Sequence, residues 1–84
     1  MAFGLHISET VAAELAAMDE PTSELLLMEM IDLAAAPLER GTQLERDGPV
    51  SRRMLGLGTN LILFQADEDT KIVTILDVVW LTSS

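Results

Sequence analysis

Arg52 and Arg53 are the only adjacent cations in the chain and the first place to look for contact with a phosphate. Cleavage of RNA by attack of a ribose 2′-hydroxyl needs a base, an acid and cations that stabilise the charge developing on the phosphorane. His6 is the sole side chain whose ordinary pKa lies near neutrality, so an acid–base scheme would look there first. On a first strand His6 serves equally as a polar-face residue, and Arg53 has many acidic side chains with which to pair. Asp67, Glu68 and Asp69 are three consecutive acids in a turn. Their carboxylates diverge and lack the spaced oxygen ligands of a calcium loop, so no metal site is expected. Gly56-Leu57-Gly58 lacks the helix and the Lys-Ser/Thr pair that bind nucleotide phosphates. No cofactor and no covalent nucleophile are read from these residues.

The elements that must position these side chains follow from hydrophobic spacing. Phe3, Leu5 and Ile7 alternate with Gly4 and His6, a period-two pattern that predicts a short half-buried strand ending at Ser8. Ser8 is a good N-cap, and Glu9 favours the positive end of a helix running to about Met18, with Val11, Leu15 and Met18 as its apolar stripe. Asp19-Glu20-Pro21 ends that helix, and Pro21 opens a second one to about Ala36. On the second helix Leu26, Leu27, Met30, Ile31, Leu33 and Ala34 cover a broad arc, while Glu29 and Asp32 mark a narrow polar stripe. Such an arc serves either a neighbouring sheet and helix or the docking of another chain. Leu26, Met30 and Leu33, with Trp80, are the candidate partner-binding residues.

Pro37 stops the second helix. Glu39 to Pro49, charged and carrying two glycines, reads as an exposed connection with room for one extra turn. Three consecutive antiparallel strands follow: Arg53 to Gly58, Leu61 to Ala66, and Lys71 to Val78, the last closed by Trp80. Gly58-Thr59 or Thr59-Asn60 supplies the first hairpin turn, and Asp67-Glu68-Asp69 the second. In the last strand Ile72, Thr74, Leu76 and Val78 are expected on one face, with Val73, Ile75, Asp77 and Val79 on the other. Apolar residues on both faces predict a central, covered strand.

With 84 residues, the chain is read as one domain, 1–84, and a fold of that size buries only about 60% of the surface its unfolded chain exposes. There is no cysteine, so burial alone must hold the fold and a reducing compartment is tolerated; the cytoplasm is the expected location. No basic segment precedes an apolar one at the start. The longest uncharged run, Met54 to Ala66, is broken by Gly56, Gly58 and Asn60 and falls short of the roughly 20 residues of a membrane helix. Fourteen acidic side chains against five basic ones give a net charge of −9. That field repels phosphate backbones and disfavours direct nucleic-acid binding, since nucleic-acid binders cluster Lys and Arg. It suits solubility, or a basic protein partner.

The order strand, helix, helix, strand, strand, strand is an α+β arrangement that resembles the RelE/ParE superfamily of toxins from type II toxin–antitoxin pairs. The resemblance spans nearly the whole chain. It rests on Ile7-Ser8-Glu9, the helical hairpin hinged at Pro21, the spacing of Arg53, Leu55 and Gly58, then Leu61-Ile62-Leu63-Phe64, Asp67 and Val73-Thr74-Ile75-Leu76. Relatives that cleave ribosome-bound messenger RNA present an Arg and an aromatic hydroxyl on the third strand, where this chain has Leu61 and Phe64. They also carry a basic residue or His followed by Arg beyond the last strand, where this sequence has Trp80 and Leu81 and runs out at Ser84.

What the resemblance implies is therefore a toxin-superfamily protein that binds protein, a cognate antitoxin or a cellular target, rather than a competent nuclease. The alternatives are a ribosome-dependent endoribonuclease built on Arg52 and Arg53, and a degenerate homologue that folds and self-associates, as in a homodimer, without either activity.

Overall fold

Two capping side chains set the helical hairpin. The computed structural model describes residues 3–80. Its elements are β1 (Gly4–Ile7), α1 (Glu9–Ala17), α2 (Glu20–Ala35), β2 (Thr42–Asp47), β3 (Val50–Leu57), β4 (Asn60–Asp67) and β5 (Ile72–Trp80). Ser8 caps α1 by accepting a hydrogen bond from the Val11 N–H at 3.3 Å, so the expected start of the first helix holds. Asp19 does the same for α2, accepting from the Thr22 N–H at 3.2 Å, with Pro21 in the first turn where its missing N–H has no intrahelical duty.

The strands form one five-stranded mixed sheet in the order β1-β5-β4-β3-β2. β2 to β5 are consecutive antiparallel neighbours, and β1 lies parallel to β5. The antiparallel run is therefore one strand longer than the three-stranded meander read from the sequence. The additional strand, Thr42–Asp47, lies inside the stretch expected to be an exposed connection. All six of its residues are exposed. Its place at the sheet edge comes from backbone pairing with β3, and edge strands are commonly charged, which protects them from further pairing.

Both helices pack on one face of the sheet. Val11 and Leu15 of α1, and Leu26, Met30 and Leu33 of α2, meet Ile62, Phe64, Ala66, Val73, Ile75 and Val78 in one buried cluster. β4 alternates buried with half-buried residues along its whole length, the signature of a strand with one face in the core and one face outside. β5 has a bulge at Leu76, because Leu63 pairs with Asp77 while Phe64 pairs with Ile75. One extra residue reverses the alternation beyond it. Val78 thus joins Val73 and Ile75 in the core, whereas Asp77 and Val79 go to the open side with Ile72 and Thr74. β5 is central in the sheet, as expected, but the helices cover only one of its faces.

The loop from α2 into β2 approaches β3 closely. At Gly41, with φ +73°, a Cβ atom would lie 2.3 Å from the carbonyl oxygen of Met54. Only glycine fits there. Gly58 supplies the positive φ at the first position of the two-residue β3–β4 turn.

Candidate functional site

The face of the sheet away from the helices is the surface on which the sequence-derived catalytic residues have to meet. Strand alternation and register place His6, Thr74, Gln65, Arg52 and Glu45 in one row across all five strands. The neighbouring row holds Asp77, Leu63, Met54 and Thr42. His6 and Arg52 are three strands apart, about 14 Å at ordinary strand spacing, too far to act on one phosphate group.

Arg52 and Arg53 do not work as a pair, because adjacent residues of a strand point to opposite faces. Arg52 lies exposed on the open face with its Nη1 3.0 Å from Glu45 Oε2. Arg53 points to the helix side and is buried. There its Nε donates to the carbonyl of Arg40 at 3.1 Å and its Nη2 to the carbonyl of Gly41 at 3.4 Å. Its partners are backbone oxygens, not the carboxylates expected from the sequence. Its place is structural: it ties the α2–β2 loop to β3.

The remaining cations are engaged too. Arg40 pairs with Glu29, and Arg46 with Glu68. Lys71, in the β4–β5 turn, holds its ammonium 5.4 Å from the centre of the Phe3 ring. All five basic side chains of the chain thus have partners within it. Around Arg52 the open face carries Glu45, Asp47, Asp67 and Asp77 in register. Asp67 accepts from the N–H groups of Asp69 and Thr70 and so closes its own turn. Asp19, on the helix side, is held below the ordinary carboxylate range by hydrogen bonds from the Thr22 hydroxyl and the Thr22 N–H. Among the described residues no group of three metal-ligating side chains occurs.

The chemistry of the open face is therefore that of a half-apolar, acidic platform. Met54, Leu61, Leu63 and Val79 are half-buried on it. Leu61 lies there, but Phe64 is fully buried on the helix side, opposite Arg53. An aromatic at Phe64 belongs to the core, and a hydroxyl at that position would not reach the platform.

Of the sequence-derived partner residues, Leu26, Met30 and Leu33 are buried and belong to the core. The strongest apolar stripe of a helix is the one the sheet claims. The apolar residues that α2 leaves outside are Leu25, Met28 and Ile31, at 65%, 63% and 61% exposure. Trp80 is exposed. A groove of about 490 Å³ runs between α2, the β3–β4 turn and Trp80. The sequence signal for this ridge is its spacing, i, i+3 and i+6, on the side of α2 away from the core stripe. Leu81, which the sequence comparison placed beside Trp80, lies outside the described residues.

Comparison with solved structures decides the fold. The chain aligns over its full length, and over the full length of the other, with a chain of the archaeal RelE–RelB complex of Pyrococcus horikoshii OT3, at TM-score 0.87 and 18% identity. Its fold is that of RelE toxins. A chain of the toxin–antitoxin complex RelBE2 of Mycobacterium tuberculosis matches at TM-score 0.77 and 21% identity, with 95% of this chain and 92% of that one covered. The isolated RelE toxin of Escherichia coli matches at TM-score 0.76 and 16% identity, over 99% and 88% of the two chains. The sequence matches no protein-family model, and no curated protein matches it. At these identities the RelE fold is shared while most side chains differ. No helix among the described residues is long and apolar enough to cross a membrane.

Proposed function

We propose that this RelE-fold chain is the toxin-like member of a toxin–antitoxin pair and that it acts by binding protein in the cytoplasm, without cutting RNA. The observation that carries this reading is the state of the cations. Phosphoryl transfer on RNA is catalysed by positive charge aimed at the phosphorane, and here each Arg and Lys already has a partner within the chain. The open face bears one arginine among four acids in register. A polyanion approaching that platform is repelled, whereas a protein segment, most favourably a basic one, is not.

The partner is a protein. Solved relatives with this fold are found in complexes with RelB antitoxins, and a cognate antitoxin is the first partner proposed for this chain. Two experiments test the reading. Purified protein added to a translating extract leaves the message intact, and Arg52→Ala changes nothing; message cleavage abolished by Arg52→Ala would establish the nuclease instead. Co-expression with the product of an adjacent small reading frame yields a stable complex, and a neighbour that never co-purifies counts against a partner of this kind. Arrested growth on induction separates a toxic protein from a degenerate one.

A further inference from the structure

We infer that the groove between α2, the β3–β4 turn and Trp80 receives a basic amphipathic helix of a partner protein. The inference rests on the protein-binding reading above and assigns it a surface on the helix side, away from the open sheet face.

Two observations bear on the same place. Leu25, Met28 and Ile31 stand out of α2 at a spacing of three, each more than three-fifths exposed, while the core stripe of the same helix is fully covered. A row spaced by three is one of the ridges along which helices interlock. Its flanks are acidic: Glu24 and Asp32 are exposed between and beside the ridge residues, and Asp32 also lines the groove. Asn60, at the start of β4 where it pairs with Trp80, closes the floor at 7% exposure, its amide oxygen shielded from the groove.

An occupant must therefore supply apolar contacts to Leu25 and Met28 and positive charge to the rim. Trp80, 48% exposed at the mouth, offers a ring face on which a Lys or Arg gains a further attraction. A second copy of this chain does not fit. In a two-fold contact the same acidic rim would face itself, on a molecule of net charge −9. A basic helix with one apolar face satisfies each requirement at once.

Trp80 is the only tryptophan, so its fluorescence reports on the groove directly. The probes are two tryptophan-free amphipathic peptides of about 16 residues with identical leucine stripes, one flanked by lysines and the other by glutamates. The expected result is that the lysine peptide shifts Trp80 emission to the blue, binds more weakly as salt rises, and exceeds the glutamate peptide by roughly tenfold in affinity. Leu25→Ser with Met28→Ser abolishes the shift while the unfolding midpoint holds, and Asp32→Asn narrows the preference for lysine. Equal binding of the two peptides, or lysine-peptide binding untouched by the double substitution, overturns the inference.

The adjacent-frame protein then separates this inference from the reading beneath it. Capture by the wild type and loss of capture by the doubly substituted chain support the groove. Equal capture by both overturns the groove and leaves protein binding standing. A wild-type chain that captures no neighbour and binds neither peptide overturns both.

Discussion

The two faces of one sheet differ in what they do with the same residue types. On the helix side β4 contributes Ile62, Phe64 and Ala66, all fully buried; on the open side its Leu61, Leu63 and Gln65 are half-buried. On β3 the helix side takes Arg53 and holds its guanidinium with backbone carbonyls, while the open side leaves Arg52 exposed against Glu45. A cation can thus be structural one residue away from a cation that is free to be replaced. Strand alternation, not sequence proximity, decides which.

The largest expected effect tests whether the faces are as unequal as they look. Phe64→Ala removes a fully buried ring from the centre of the core and should cost about 3–5 kcal/mol. Leu63→Ala, its neighbour on the open side, should cost under about 1.5 kcal/mol because much of its surface is already wet. Urea unfolding of both variants measures the contrast. Equal losses would break the comparison, since they would mean that the open face is covered in solution.

Next comes the arginine pair. Arg53→Ala strips the carbonyls of Arg40 and Gly41 of their donors and should destabilise by about 2 kcal/mol. Arg52→Ala removes one exposed ion pair and should stay within about 0.5 kcal/mol. A stability loss at Arg52 equal to that at Arg53 would show that the open-face pair is more than a surface contact. Any loss of function on Arg53→Ala is to be read through stability first, which matters for a residue that also looks like a phosphate ligand in sequence.

What could be seen in the sequence divides along the same faces. The β3–β4–β5 ladder was legible because apolar residues alternate along it and Gly58 marks its turn. The helical hairpin was legible because Ser8, Asp19 and Pro21 are strong terminal signals. β2 was not, since Thr42–Asp47 carries no apolar period and is held by backbone pairing alone. The bulge at Leu76 leaves no mark in the residue types, so simple alternation puts Asp77, Val78 and Val79 on the wrong faces. Leu26, Met30 and Leu33 invite a partner-surface reading for the reason that puts them in the core: they are the best stripe on α2. Of the candidate site, the poverty of cations was visible in composition, but the engagement of each remaining one needed the tertiary contacts of Arg40 with Glu29, Arg46 with Glu68 and Arg53 with the loop carbonyls.

A smaller effect of opposite sign sharpens the account of the helix side. Ser51 is fully buried on that face, and its hydroxyl has no hydrogen-bond partner. Burial of an unpaired hydroxyl is a net cost, so Ser51→Ala should raise stability by about 1 kcal/mol. A thermal melt that falls instead would reveal a partner for that hydroxyl in solution, and with it a wetter core edge beneath β3 than the packing of Phe64 and Ala66 suggests.

The smallest expected change concerns the cap that sets the register of α2, and through it which leucines turn inward. Asp19 is held below its ordinary value of 3.8 chiefly by the Thr22 hydroxyl, which donates to Oδ2 at 2.9 Å, and also by the Thr22 N–H. A carboxyl with a depressed folded pKa binds its proton more readily in the unfolded chain, so stability rises with pH across the interval between the two values. The contribution is complete above the unfolded value of 3.8 and is lost as pH falls through the lower folded value. Asp19→Ala should therefore lower the unfolding midpoint at neutral pH, and the gap from the wild type should close in strong acid. Thr22→Val, which removes the hydroxyl and keeps the N–H, should move the Asp19 titration partway back towards 3.8 in a carbonyl-detected NMR experiment. A gap that stays constant into strong acid would mean that Asp19 holds the helix by something other than its charge. The division of Leu25 from Leu26 would then rest on packing alone.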